Sequence, residues 1–91
     1  MITLGKHLGI FIKSKRLEHT KRYSQADLAA LLGVKGQYIS NVERGLQSMR
    51  VKYLLKLCTI LNVEFKEFHD EMLKDMSDAI WVEAQKELNE M

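Results

Sequence analysis

SQADLAALLGVKGQYISNVERG, residues Ser24–Gly45, divides into two short helical patterns around a glycine. Leu28, Ala29 and Leu32 recur at i, i+1 and i+4, and Ile39, Val42 and Leu46 at i, i+3 and i+7, so each half has one apolar face. Gly33 stands between them, where a helix end needs a residue that tolerates positive φ. Ser24 precedes the first half as an N-cap candidate, its hydroxyl able to accept a bond from a free backbone N–H. Ala29 is small where one helix must cross another closely. Two short helices joined by a tight turn are expected.

The pattern extends outward in both directions. Upstream, Leu4, Leu8, Phe11 and Ile12 recur at helical spacing, bracketed by Gly5 and Gly9, and predict a first helix ending near Leu17. Glu18 to Tyr23 forms a connection, with Tyr23 read as a core residue whose hydroxyl lies near the rim. Downstream, a fourth helix is expected from about Met49 to Leu61, buried along Val51, Leu54, Leu55, Cys58 and Leu61. Cys58 lies on that apolar stripe and reads as a small core residue. Asn62-Val63 closes the helix, and a fifth begins near Glu64 with Phe65 and Phe68 pointing inward. From Asp70 to Met91, the residues Met72, Met76, Ile80, Ala84 and Leu88 recur every four positions, with Leu73 and Trp81 on the flanks. One amphipathic helix is expected there, or two with the break near Ser77-Asp78, where a serine can cap a new start.

Ninety-one residues allow one small domain, and 46% hydrophobic with 29% charged residues is a globular composition. One cysteine excludes an internal disulfide and points to a reducing, cytoplasmic setting. No run approaches the roughly 20 apolar residues of a membrane span. The net charge of +2 hides a division. Residues 1–60 hold eleven Lys and Arg against three Asp and Glu, and residues 61–91 hold three against nine. The first part therefore suits a polyanion, whose neutralisation releases counterions. The acidic second part should face away from it. His7, His19, His69 and Cys58 show no metal-ligand spacing and there is no glycine-rich phosphate loop, so neither an enzyme nor a bound metal or cofactor is expected.

The series Ser24-Gln25, Leu28-Ala29, Gly33-Val34, Tyr38-Ile39-Ser40 and Glu43-Arg44-Gly45 resembles the helix-turn-helix of the XRE, or phage-repressor and Cro-type, family. Ile12 to Arg16 and Leu54 to Val63 fit the first and fourth helices of that family, so the likeness covers roughly Leu4 to His69. It implies an all-α fold: a five-helix lambda-repressor-like DNA-binding domain over 1–69, with a C-terminal amphipathic extension over 70–91. In that motif the second helix enters the major groove while the first straddles the backbone.

Carried over residue by residue, the resemblance implies that Gly36, Gln37 and Asn41 touch base edges, with Lys35 and Ser40 on the same face. Gln and Asn each offer a donor and an acceptor in one plane, matching adenine N6 and N7. Gln25 falls where the family clamps a phosphate, and Lys35, Arg44, Arg50 and Lys52 surround the same side as further phosphate contacts. The resemblance also implies a partly buried ion pair of Arg16 with Glu43, a scaffold element. Gly36 departs from the family's usual long polar residue; a close backbone approach to DNA and a site read by shape both remain open. The connection is about two residues longer than usual, so Lys21 and Arg22 either reach a phosphate or are simply solvated.

The function these features imply is a sequence-specific regulator, a repressor, binding double-stranded DNA as a homodimer on a pseudo-palindrome. The stripe Met72, Leu73, Met76, Ile80, Trp81, Ala84 and Leu88 is the expected dimer interface, packing on the chain's own core being the alternative. A different reading makes the chain an antitoxin or interaction module whose acidic tail binds a toxin or another protein.

Overall fold

The computed structural model describes residues 5–90 as five α-helices in sequence: α1 (Lys6–Glu18), α2 (Gln25–Leu32), α3 (Gly36–Glu43), α4 (Val51–Leu61) and α5 (Phe65–Glu90). No strand occurs among the described residues, in keeping with the all-α expectation. Leu4 lies outside them. The core is built where all five helices meet: Leu8 and Ile12 from α1, Leu28 and Leu32 from α2, Ile39 and Val42 from α3, Leu54, Leu57 and Leu61 from α4, and Phe68 from α5. Phe68 and Ile12 are completely buried. Phe11 packs edge-on to Phe68, with ring centroids 5.5 Å apart.

The α2–turn–α3 unit forms for the reasons legible in its residues. Ser24 accepts from Asp27 N at 3.0 Å, and Asp27 returns the bond by accepting from Ser24 N at 2.9 Å. Both otherwise free N–H groups are thus satisfied in a capping box. Gly33 ends α2 at φ 73°, and the turn closes through Val34 N donating to Ala29 O at 2.9 Å. Ala29 is buried, as the crossing requires.

Gly9 does not bracket α1; it lies inside the helix and is buried. A Cβ there would overlap Val42 O and stand 2.8 Å from Glu43 O, so glycine is what lets α1 cross the last turn of α3 backbone to backbone. The buried stripe of α4 is also shifted from expectation. The helix starts at Val51, not Met49, and buries Leu54, Leu57 and Leu61, while Val51 and Leu55 are 52% and 53% exposed. Cys58 is half-buried against the core, and burial pushes its thiol pKa up, away from the reactive thiolate. Leu46 is turned out to solvent because Gly45, at φ 74°, takes the chain off the axis of α3. Met49 is the residue of that loop that enters the core.

At the fifth helix two expectations change. Phe65 sits on the first turn and faces solvent, while Phe68 alone goes inward. No break occurs at Ser77-Asp78, since α5 runs unbroken for 26 residues with no glycine or proline. Its carboxylates serve another helix instead. Asp75 accepts from His7 N at 2.7 Å and Leu8 N at 3.1 Å, capping the start of α1 from 67 residues away. His7 Nε2 donates to Asp78 Oδ2 at 2.6 Å. Gly5, the local N-cap of α1, has no side chain to do this.

Candidate nucleic-acid interface

Helix α3 has one face in the core and one in water. Lys35, Gly36, Gln37 and Arg44 are exposed, and Ser40 and Asn41 are half-buried between them. The amides form a row: Gln37 Nε2 donates to Asn41 Oδ1 at 2.8 Å, and Asn41 Nδ2 lies 3.5 Å from Gln47 Oε1. The carbonyl of Gln37 and the NH2 group of Gln47 therefore keep free hydrogen-bonding capacity at the two ends of the row. Lys35, Gln37, Tyr38, Asn41, Gln47 and Arg50 line a concavity of about 490 Å³ in front of it.

Its rim is held by aromatic contacts. The Tyr38 hydroxyl accepts from Arg50 N at 3.2 Å, and the Tyr38 ring meets Tyr53 edge-on with centroids 5.7 Å apart. Lys52 Nζ stands 4.9 Å over the Tyr53 ring. These contacts bring Arg50 and Lys52, at the start of α4, beside the amide row of α3. Among the described residues no carboxylate pairs with Lys35, Arg44, Arg50 or Lys52. The result is a surface of four uncompensated cations around planar amides, suited to phosphates at the edge and base edges at the centre.

Behind this surface Arg16 and Glu43 form the ion pair the resemblance implied. Arg16 Nε donates to Glu43 Oε2 at 2.8 Å and Nη2 to Oε1 at 2.9 Å, and Nη1 donates to Tyr23 O at 3.0 Å. The two side chains are only 8% and 2% exposed. The bond to Glu43 raises the Arg16 pKa, so the guanidinium stays charged throughout any working pH. Gln25 is not free-standing: its Nε2 donates to Glu43 Oε1 at 3.0 Å, which ties the start of α2 to the end of α3.

Gly36 has no atom within 4 Å of an added Cβ, so nothing in the fold requires glycine there. Lys21 and Arg22 are exposed in the α1–α2 connection, Arg22 at φ 47°. Met72 is half-buried against the core, whereas Leu73, Met76, Ile80, Trp81, Ala84 and Leu88 are exposed along α5. The sequence reading did not place three residues at this candidate interface: Gln47, Tyr53 and Tyr38, the last named there only as part of the family series. Gln47 lies in a loop with no periodicity to mark it, and Tyr38 and Tyr53 sit on different helices whose approach no local pattern encodes.

The helix-turn-helix family model matches residues 12–68. The chain belongs to the XRE-type helix-turn-helix family. This is a family of DNA-binding transcription regulators. Among proteins similar to this helix-turn-helix chain is the 10 kDa protein of the ImmF control region of Bacillus phage phi105, 35% identical over 60 residues. That match takes in 66% of this chain and 64% of the relative's length. A similar solved structure is that of the clp gene regulator ClgR from Corynebacterium glutamicum, with TM-score 0.63 and 24% identity over 96% of this chain and 87% of that one. The latter likeness extends the shared fold across nearly all of the helix-turn-helix chain. The family match itself stops at Phe68, one turn into α5.

Proposed function

We propose that this chain represses transcription by binding a specific double-stranded DNA site as a two-fold dimer. Helix α3 enters the major groove, where Gln37, Asn41 and Gln47 read base edges, with Lys35, Gly36 and Ser40 against the same groove. Arg44, Arg50, Lys52 and Lys35 hold phosphates, and Gln25 adds an amide at the start of α2. The amide row on α3, ringed by uncompensated cations, carries the reading. Gln37 already donates one N–H to Asn41, which leaves its carbonyl and second N–H for a bidentate contact with adenine. The exposed apolar residues of α5 support the dimer, since soluble chains seldom leave such a stripe bare. No helix among the described residues is long and apolar enough to cross a membrane.

The test is selection of bound sites from random DNA, followed by titration of the selected duplex and a scrambled one at several salt concentrations. A preference of at least about 10³-fold is expected for specific recognition. Alanine at Gln37 or Asn41 should relax one base position by about 1–3 kcal/mol, whereas alanine at Lys52 should weaken all sequences alike and flatten the salt dependence. A site with two half-sites about 34 Å apart should bind more tightly than a single half-site. Equal binding to selected and scrambled duplexes would refute the proposal.

A further inference from the structure

Helix α5 runs antiparallel to α1. Phe68 meets Phe11, and Asp75 and Asp78 meet the first turn of α1. Past Ala79 the helix therefore projects beyond the start of α1, which accounts for the 51 Å long axis of a molecule only 25 by 21 Å across. This arm exposes Ile80 by 66%, Trp81 by 65% and Leu88 by 63%. Glu83 and Glu87, one turn apart, run along one edge of that stripe.

A second unpartnered stripe lies on the outer face of α1. Ile10 and Leu17, seven residues apart, are each 53% exposed. Lys6 and Lys13 flank them on one edge, also exposed and also seven apart. Among the described residues no ion pair engages Lys6, Lys13, Glu83 or Glu87. Trp81 and Leu88 repeat the same interval of seven residues, about 10.5 Å along a helix. One stripe is apolar with an acidic edge, the other apolar with a basic edge, and both have the same spacing. Because a chain's own α1 lies behind its arm, the arm can reach only the α1 of another copy.

We propose that the arm of each protomer docks on the outer face of α1 of a second copy. The contact is reciprocal, with Ile80, Trp81 and Leu88 over Ile10 and Leu17, and Glu83 and Glu87 beside Lys6 and Lys13. Arm-on-arm pairing, the other way to cover these residues, would set the glutamates of two acidic segments against each other. A two-fold exchange of arm for α1 buries both stripes and matches both charges. It rests on the dimer reading above and specifies where that dimer closes.

Sedimentation equilibrium of the full chain tests it, with circular dichroism confirming that each exposed-site variant is folded. Wild type should dimerise, and Trp81→Ala should weaken the dimer about thirtyfold. Reversing the lysines (Lys6→Glu with Lys13→Glu) should weaken it about tenfold, as should reversing the glutamates (Glu83→Lys with Glu87→Lys). An equimolar mixture of the two reversed proteins should associate through one arm of each sign, and all four substitutions in one chain should restore the dimer to within about threefold of wild type. Arm-on-arm pairing gives a different pattern: the lysine reversal would do nothing, and the glutamate reversal would leave the dimer about as strong, like charges of one sign replacing those of the other, while its mixture with wild type would bind more tightly than either alone. That result would overturn the docking while leaving the dimer standing. A wild-type monomer at all concentrations would overturn both.

Discussion

Replacing Glu43 with alanine should be among the most damaging single changes in the helix-turn-helix unit. The carboxylate is buried and accepts three bonds, two from Arg16 at 2.8 and 2.9 Å and one from Gln25 at 3.0 Å. Without it the guanidinium stays buried and charged, with only Tyr23 O at 3.0 Å as a partner. Breaking a buried pair from one side costs about 3–5 kcal/mol, because the surviving charge is neither solvated nor compensated. A domain of this size has only about 5–15 kcal/mol to lose. Urea unfolding followed by far-UV circular dichroism should show that loss as a lower midpoint at unchanged slope. Thermal unfolding should show a Tm lower by about 12 °C or more. Glu43→Leu combined with Arg16→Met removes both charges and should recover much of the difference. A loss below about 1 kcal/mol in Glu43→Ala, or a double variant no better than the single, would refute the view that this pair locks α1 to α3.

Gly9→Ala should destabilise by about 2 kcal/mol or more, the overlap with Val42 O outweighing the roughly 1 kcal/mol gained in helix propensity, measured by the same unfolding assay. Gly36→Ala, with open space around its Cβ, should leave stability equal or up to about 1 kcal/mol higher; loss of DNA affinity in that variant would show that the backbone approaches the duplex closely there. Asp75→Ala should cost about 1–2 kcal/mol by uncapping α1, with faster amide exchange at His7 and Leu8 as its local signature. Asp27 has its pKa lowered by the Ser24 backbone N–H and then by the Ser24 hydroxyl. Its contribution is complete above the ordinary carboxylate pKa and lost as pH falls through the lowered one, so Asp27→Asn should flatten the acid limb of a stability–pH profile.

How much of this was written in the one-dimensional order of residues depends on how local each cause is. Ser24 as a cap, Gly33 as a left-handed helix end and the apolar phases of α2 and α3 involve neighbours within four or five positions, where backbone geometry dictates the partner. The exposed face of α3, with Gln37, Asn41 and Arg44, followed from the same periodicity. The family resemblance then supplied the Arg16–Glu43 pair, which spacing alone does not reveal. Tertiary packing decided what periodicity leaves ambiguous. It turned Leu55 outward and Leu57 inward on α4, because a leucine-rich helix has more apolar positions than the core has room for. It made Gly9 a point of backbone contact and recruited Gln47 to the amide row. It also spent Asp75 on capping α1 and Asp78 on the His7 ring, not on breaking α5. Each of these depends on what lies across a helix–helix boundary, and contacts between residues tens of positions apart leave no signature in the local order of the chain.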